Sequence, residues 1–343
     1  MPYTKPEHLP LSVALWLTFD EYDYVDKQNY ISATSLLKPT KQTILAARYR
    51  QSPLANKPDN LMQRFANRLG TAVHNSIDMA WDVHLKRGLQ LLGHPDKVAE
   101  NTVVFNENTG MPSDEEIAKL RAEGKNIIIK EVRMFRDFGK YIIGGKTDFV
   151  INGVPEDFKT VKTWAYGDEV KLKKELMQIS IYRWLNPVAI WEDHGRIIQI
   201  FMDWMKGQKI RAGYPQEPIV AHTMELHSFA EVERFIEGKI RELEHYMDLP
   251  ESELPRCTDE DLWRGKDSIK YYSDPAKAKD PKARSTKNFE NLHEAEMHRQ
   301  SKGKGVIKIV KGKVKACAYC AGYDMCQQKD EYLADGTLSI EDD

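Results

Sequence analysis

Residues 126–161 limit the fold of this chain most tightly. Three β-rich runs, NIIIKEVRMF, KYIIGGKTDFVI and VPEDFKTV, are separated at Phe138-Gly139 and Asn152-Gly153. Such spacing predicts a three-strand β-meander. Asn-Gly is the strongest short-range signal for a two-residue hairpin loop, because both loop residues need positive φ. With Asn152 and Gly153 as the loop, Ile151 faces Val154, Val150 faces Pro155, Phe149 faces Glu156 and Asp148 faces Asp157. Directly opposed side chains sit about 4.5–5.5 Å apart at Cβ. Period-two alternation puts Lys159 on the face of Asp157. Two opposed carboxylates repel, and a shared proton or a divalent cation relieves the repulsion. An oxygen pair with an open side suits Mg²⁺ or Mn²⁺, and a neighbouring lysine can orient a water or steady a phosphate, the parts needed for phosphodiester hydrolysis. A second reading is a solvated sheet face on which Lys146 and Lys159 neutralise the acids. Pro155, which lacks an N–H, can also shift the register.

The flanking segments read as helices and one further strand. ISATSLLKPTKQTILAARYR (31–50) predicts a short capped helix broken near Pro39, followed by a second helical start. Over 61–88, Leu69, Val73, Ile77, Ala80 and Trp81 recur at helical spacing, with Gly88 as the stop. Residues 92–124 are polar and predict an irregular excursion with one short helix at 114–123. Helical periodicity returns over 169–186. GRIIQIFMDWM reads as a strand, and 226–248 as a final amphipathic helix. No internal repeat is found.

Composition bounds the class. The chain has 343 residues, 41% hydrophobic and 30% charged, which supports a packed core and argues against global disorder. The net charge of −2 says nothing by itself about nucleic acid. No apolar run approaches the roughly 18 residues that span a bilayer, and the N-terminus lacks a secretory pattern. The expectation is a cytoplasmic protein, with no membrane partner.

The acids and lysine also resemble a known family. Asp148, followed by Asp157-Phe158-Lys159, resembles the PD-(D/E)XK nuclease superfamily, with its catalytic Asp ahead of an (Asp/Glu)-x-Lys on the next strand. Position 147 is Thr rather than the family's proline, which is often absent in the RecB-like exonuclease branch. GGKTD with DFKT is close to that branch's form. RLGTAVHNSID supplies His74 on a preceding helix, with Asp78 one turn on, and QISIYRWL supplies a Gln-x-x-x-Tyr pair, Gln178 and Tyr182. The elements come in the family's order over roughly residues 30–205. The resemblance implies an α/β core of the restriction-endonuclease type, a mixed sheet flanked by helices. It implies His74, Asp148, Asp157 and the carbonyl of Phe158 as ligands of Mg²⁺ or Mn²⁺. Lys159 becomes the charge-stabilising group, and Gln178 and Tyr182 brace the site and contact DNA. Glu131, on the first strand, reads either as an additional acid near the site or as a surface glutamate.

All four cysteines lie beyond residue 256: Cys257, Cys317, Cys320 and Cys326. Clustered thiols in a reducing compartment point to metal rather than disulfides. Four thiolates hold either Zn²⁺ or an iron–sulfur cluster. Zinc ribbons usually carry two close pairs, whereas Cys257 has no near partner. The x2/x5 spacing resembles the 4Fe–4S staple of AddB-type and CRISPR adaptation nucleases, although there one cysteine precedes the core and here all four follow it. Around these cysteines WRGKDSIKYY and GVIKIVKGKVKACAYC read as strands and TKNFENLHEAEMHRQS as a helix. Lys266 to Lys315 holds 14 Lys/Arg against 6 Asp/Glu, interleaved with Trp263, Tyr271, Tyr272 and Phe289. A basic, aromatic-rich surface fits phosphate contact and base stacking.

The sequence therefore predicts a nuclease core over 1–250, a basic Cys₄ metal-binding module over 251–327 and an acidic flexible tail over 328–343. The expected activity is divalent-metal-dependent hydrolysis of DNA, exonucleolytic by the resemblance, in recombination, repair or replication in a bacterium or bacteriophage. Recombination or replication proteins are the expected partners. A non-catalytic DNA-binding protein that keeps the nuclease fold and acts through its Cys₄ module is the rival expectation.

Overall fold

The structure, a computed structural model, describes residues 3–19, 25–56, 59–280 and 283–339. The chain divides into two compact units, Met1–Leu37 with Lys57–Ile240, and Lys38–Asn56 with Arg241–Asp343. The expected boundary at residue 250 thus differs from the observed division, most of all in assigning 38–56 to the second unit.

The strands of the first unit are β1 (Tyr3–Thr4), β2 (Tyr30–Ser32), β3 (Asp59–Asn60), β4 (Thr102–Phe105), β5 (Asn126–Lys130), β6 (Arg133–Phe138), β7 (Tyr141–Lys146), β8 (Phe149–Ile151), β9 (Val154–Val161), β10 (His194–Phe201) and β11 (Ile219–Glu225). A six-stranded mixed sheet has the order β11-β10-β9-β8-β5-β4, and β2-β7-β6 form a second sheet. β9 pairs with β10 and β4 with β5 in parallel; β8–β9, β5–β8 and β10–β11 are antiparallel.

Helices cover both faces of the six-stranded sheet, and strand alternation shows how. Ile128, Phe149 and Phe158 pack with Ile77 and Trp81 of the helix Phe65–Val83, hereafter the His74 helix. Ile127, Ile129, Val150 and Ile197 pack with Leu176, Ile179 and Tyr182 of the helix Glu169–Leu185, the Gln178 helix. Neighbouring residues of one strand therefore feed opposite layers, the period-two signature of a sheet buried on both sides.

Several sequence expectations require correction. The meander is five strands rather than three: its first run breaks at Glu131 and its second at Asp148, and the β6–β7 hairpin leaves for the second sheet. The excursion over 92–124 contains the edge strand β4, which extends the sheet. The long helix over 61–88 breaks at His84, and Gly88 lies inside a separate helix, Leu85–Leu91, rather than ending the first. By contrast, Pro39 separates the helices Ala33–Leu36 and Thr40–Gln51 as expected, with the Ser32 hydroxyl capping the first.

The second unit has its own sheet, β13-β12-β14, from β12 (Ser268–Tyr272), β13 (Lys287–Phe289) and β14 (Val306–Val310), with the helix Leu292–Lys302 against it. A small core of Leu262, Val314, Tyr332 and Leu338 packs against Cys257 and Cys317. The expected acidic tail contributes to this core: Gln327–Ala334 is helical, and Tyr332 and Leu338 are buried. Residues 340–343 of that tail lie outside the described residues. The Thr40–Gln51 helix belongs here too: Lys41 reaches Glu251 at 2.7 Å, and Leu45 leaves no room for a Cβ on Gly322, between Cys320 and Cys326.

Candidate active site

The Asn152-Gly153 loop closes as its chemistry dictates. Asn152 has φ 48° and Gly153 φ 79°. Ile151 faces Val154, Val150 faces Pro155 and Phe149 faces Glu156. Pro155 therefore leaves the expected register intact. Trp191 packs so closely over Gly153 that a Cβ there would meet its ring at 2.3 Å. β8 begins at Phe149, and Asp148 lies just before the ladder. Its backbone carbonyl accepts from the Glu131 amide at 3.1 Å, and its Oδ2 accepts from the Phe158 amide at 2.6 Å. The two strand breaks, at Glu131 and Asp148, are thus joined to each other. Glu131 sits in the left-handed region at φ 54°, a conformation that costs a non-glycine residue about 1–3 kcal/mol.

This junction gathers three potential ligands. His74 Nδ1 lies 3.6 Å from Asp148 Oδ2, and one ligand atom each of His74, Glu131 and Asp148 lie within 4.8 Å of one another. The His74 ring also meets Phe158 edge-on at 5.9 Å. Lys130 anchors the helix that carries His74. It is 1% exposed and its ammonium contacts Asp78 at 2.5 Å and Asp82 at 3.0 Å. Asp78, one turn beyond His74, therefore faces Lys130.

Asp157 enters from the opposite layer. It is 2% exposed. Its Oδ1 accepts from Gln178 Nε2 at 3.3 Å, and the same amide donates to the Tyr182 hydroxyl at 2.7 Å. Lys159 Nζ lies 2.5 Å from Asp157 Oδ2, a buried ion pair that gives this oxygen its partner. Tyr182 lies on β7 because Gly145 has no side chain; a Cβ there would meet its ring at 2.5 Å.

The protonation equilibria describe a pocket short of positive charge. Burial raises the Asp157 carboxyl to about 6 against the opposing pull of Lys159, and the charge of Asp148 adds to the rise. Burial by itself lowers the His74 imidazole, but contact with Asp148 and the charges of Asp157 and Glu131 outweigh it, so His74 holds its proton more tightly than usual. Burial likewise lowers Lys159, and Asp157 more than reverses it, keeping the ammonium charged. Burial raises Glu131 despite Lys146, 2.7 Å away. The clustered carboxylates of Glu131 and Asp148 with the imidazole of His74 match the donor set of a divalent cation.

The predicted residues thus fall into two adjoining groups, His74 with Asp148, and Asp157 with Lys159, Gln178 and Tyr182; Asp157 is not among the three ligand atoms that cluster within 4.8 Å. Phe158 joins them through its amide on Asp148. Thr147, where the family proline would stand, is buried and donates to the Phe149 carbonyl at 3.2 Å. Glu175 went unnoticed in the sequence. It precedes Gln178 by three residues on one helical face, is buried, and leaves Oε2 without a partner. Burial raises its carboxyl to about 7, with Lys159 and Lys171 opposing. The i,i+3 spacing to Gln178 was the available signal.

In the second unit the four thiols are half-buried. Burial and the neighbouring thiols raise Cys257 to about 12 and Cys317 to about 11, and Cys320 rises mainly by burial. Thiolates that repel in this way are stabilised by a bound metal, which deprotonates its ligands outright.

No protein-family profile and no curated protein matches the chain. Solved structures show slight similarity. SSO0001 is 17% identical with a TM-score of 0.37, covering 64% of this chain and 78% of that one. An alkaline exonuclease, LHK-Exo, from Laribacter hongkongensis is 13% identical with a TM-score of 0.26, covering 38% and 64%. A phage-related exonuclease from Haemophilus somnus 129PT is 17% identical with a TM-score of 0.25, covering 39% and 67%. Likeness at this level is too slight to transfer a function.

Proposed function

We propose that the first unit is a divalent-metal-dependent DNA nuclease, exonucleolytic, acting in recombination, repair or replication in a bacterium or bacteriophage. One observation carries the reading. One ligand atom each of His74, Glu131 and Asp148 lie within 4.8 Å of one another, and Asp148 bonds the amide of Phe158, the residue between Asp157 and its ion-pair partner Lys159. His74, Asp148, Asp157 and the Phe158 carbonyl would hold Mg²⁺ or Mn²⁺, and Glu131 joins that set. The cation would supply the positive charge that polarises a scissile phosphate. The chain's own residues do the positioning. Tyr182 holds the Gln178 amide, Gln178 fixes Asp157 Oδ1, and Asp157 Oδ2 pairs with Lys159. Lys159, kept charged by Asp157, stabilises negative charge developing on the phosphate and orients the attacking water.

The four cysteines are proposed to hold a 4Fe–4S cluster, with Zn²⁺ as the alternative. Among the described residues no three of these sulfurs lie within 4.8 Å of one another. Tetrahedral zinc, with bonds of about 2.3 Å, would bring them to about 3.8 Å.

The test is incubation of the full chain with Mg²⁺ or Mn²⁺ and linear, circular, nicked and single-stranded DNA. Asp157→Asn and Lys159→Ala are expected to lower cleavage by at least about 100-fold, as loss of a charge-stabilising group does, with circular dichroism unchanged. Full activity in both variants refutes the site. DNA binding without cation binding or cleavage would favour the non-catalytic DNA-binding protein instead.

A further inference from the structure

The basic module offered four aromatics for base stacking, and the structure divides them. Tyr271 and Tyr272 are buried, and Phe289 packs on His298 with centroids 5.1 Å apart. Trp263 is 59% exposed, and Tyr319, between Cys317 and Cys320, is equally exposed. Their rings lie 6.1 Å apart at 37°. This pair is rigidly mounted. The amides of Lys315 and Ala316 donate to the Leu262 carbonyl, each at 3.1 Å, and the Gly265 amide donates to Lys313 at 2.9 Å. Leu262 is buried in the core against Cys257 and Cys317. Gly312 lies so close to Gly265 that a Cβ on it would overlap the Gly265 carbonyl. The same strapping brings exposed Lys266, Lys313 and Lys315 around the rings.

Trp263 is also held at φ 46°. A bulky residue in the left-handed region is a true outlier. Glycine would sit there without strain, and the indole is not used to fill a core. An exposed, strained tryptophan beside a second exposed ring and three lysines has the composition of a single-strand stacking site, where rings meet bases and lysines meet phosphates.

We infer that Trp263 and Tyr319 form a base-stacking platform for a single-stranded polynucleotide, with Lys266, Lys313 and Lys315 on its phosphates. The inference rests on the nucleic-acid reading of the chain and is independent of the metal site. Single strands are specified because the bases of a duplex are already stacked and present no free faces to the rings.

Fluorescence anisotropy of the full chain, without added Mg²⁺ or Mn²⁺, with a labelled 15-mer of dT and with a 15-bp duplex, tests this. Trp263→Gly, which relieves the backbone strain, is expected to raise the melting temperature and to weaken oligo(dT) binding about 5- to 150-fold. Its effect on the duplex is expected to be less than about twofold. Tyr319→Leu should weaken oligo(dT) in the same direction, and Trp263→Phe should keep most of the affinity. Lys315→Ala should lower the salt slope by about 0.7. Unchanged oligo(dT) binding in Trp263→Gly, or equal losses on both substrates, overturns the platform. Absence of Mg²⁺-dependent cleavage in the wild type would count against the nuclease reading and leave this result standing.

Discussion

Glu175 shows how a single residue couples the site to pH. Its carboxyl rises from an ordinary 4.5 to about 7 in the folded chain, chiefly by burial. The folded state thus binds the proton more tightly than the unfolded one. The associated stability is complete below pH 4.5 and is lost as pH rises from 4.5 to 7. Full ionisation costs at most about 3 kcal/mol. Glu175→Gln is neutral throughout, so it should lessen the fall of thermal stability over that window, leaving the share due to Asp157, and melt above the wild type at pH 8. A melting profile parallel to the wild type would contradict this. Glu131 makes a second prediction at this scale. Its carboxylate is held by Lys146 beside His74 and Asp148. Glu131→Gln is expected to weaken Mn²⁺ binding at least about tenfold in calorimetric titration, comparable to the loss of a group supporting a metal site. Unchanged affinity would remove Glu131 from the ligand set. Sequence reading singled out Asp148, Asp157 and Lys159 as candidates because turn chemistry and period two are local rules, but the expected Asp148–Asp157 pair falls beyond the ladder, which ends at Phe149 opposite Glu156. Glu131 stayed ambiguous because a backbone break and a cross-strand bond to Asp148 decide its place.

At the level of elements, the site is built from interruptions in strands. β5 stops at Glu131 and β8 starts after Asp148, so each acid is freed from the ladder while one hydrogen bond still ties the two breaks together. The paired glycines of β7 admit the aromatic rings laid over them: Gly144 meets Tyr30 and Phe135, and Gly145 meets Tyr182. Gly145→Ala should therefore cost about 1–3 kcal/mol, the usual price of overpacking, and loosen the Tyr182–Gln178–Asp157 chain. Chemical denaturation measures the first effect, and reduced cleavage at saturating Mg²⁺ the second. A fully stable Gly145→Ala protein would show that Tyr182 can move aside. Helix and hairpin positions were legible from spacing. The edge strand β4 was not, because a four-residue run in a polar segment gains its identity only from pairing with β5.

For the whole molecule, the second unit joins Lys38–Asn56 to Arg241–Asp343. Burial, with the neighbouring thiols, raises the Cys257 and Cys317 thiols within it. Cys257→Ser and Cys320→Ser are each expected to reduce bound iron or zinc to near zero by metal analysis, with lower thermal stability. A brown protein with broad visible absorption supports iron–sulfur, and a colourless zinc protein refutes it. Among the described residues no helix is long and apolar enough to cross a membrane. The linear order of residues determined the hairpin, its register and the types of most elements, since φ preferences and side-chain alternation act within a few residues. It also singled out the acids, the lysine and the Gln178–Tyr182 pair. Only the tertiary structure decided that Asp78 serves Lys130, that Tyr271 and Tyr272 are buried while Tyr319 is exposed, and that the acidic C-terminal stretch packs into a core. Each of these depends on partners far away in sequence, and burial against such partners is a property of the folded chain that no local pattern encodes.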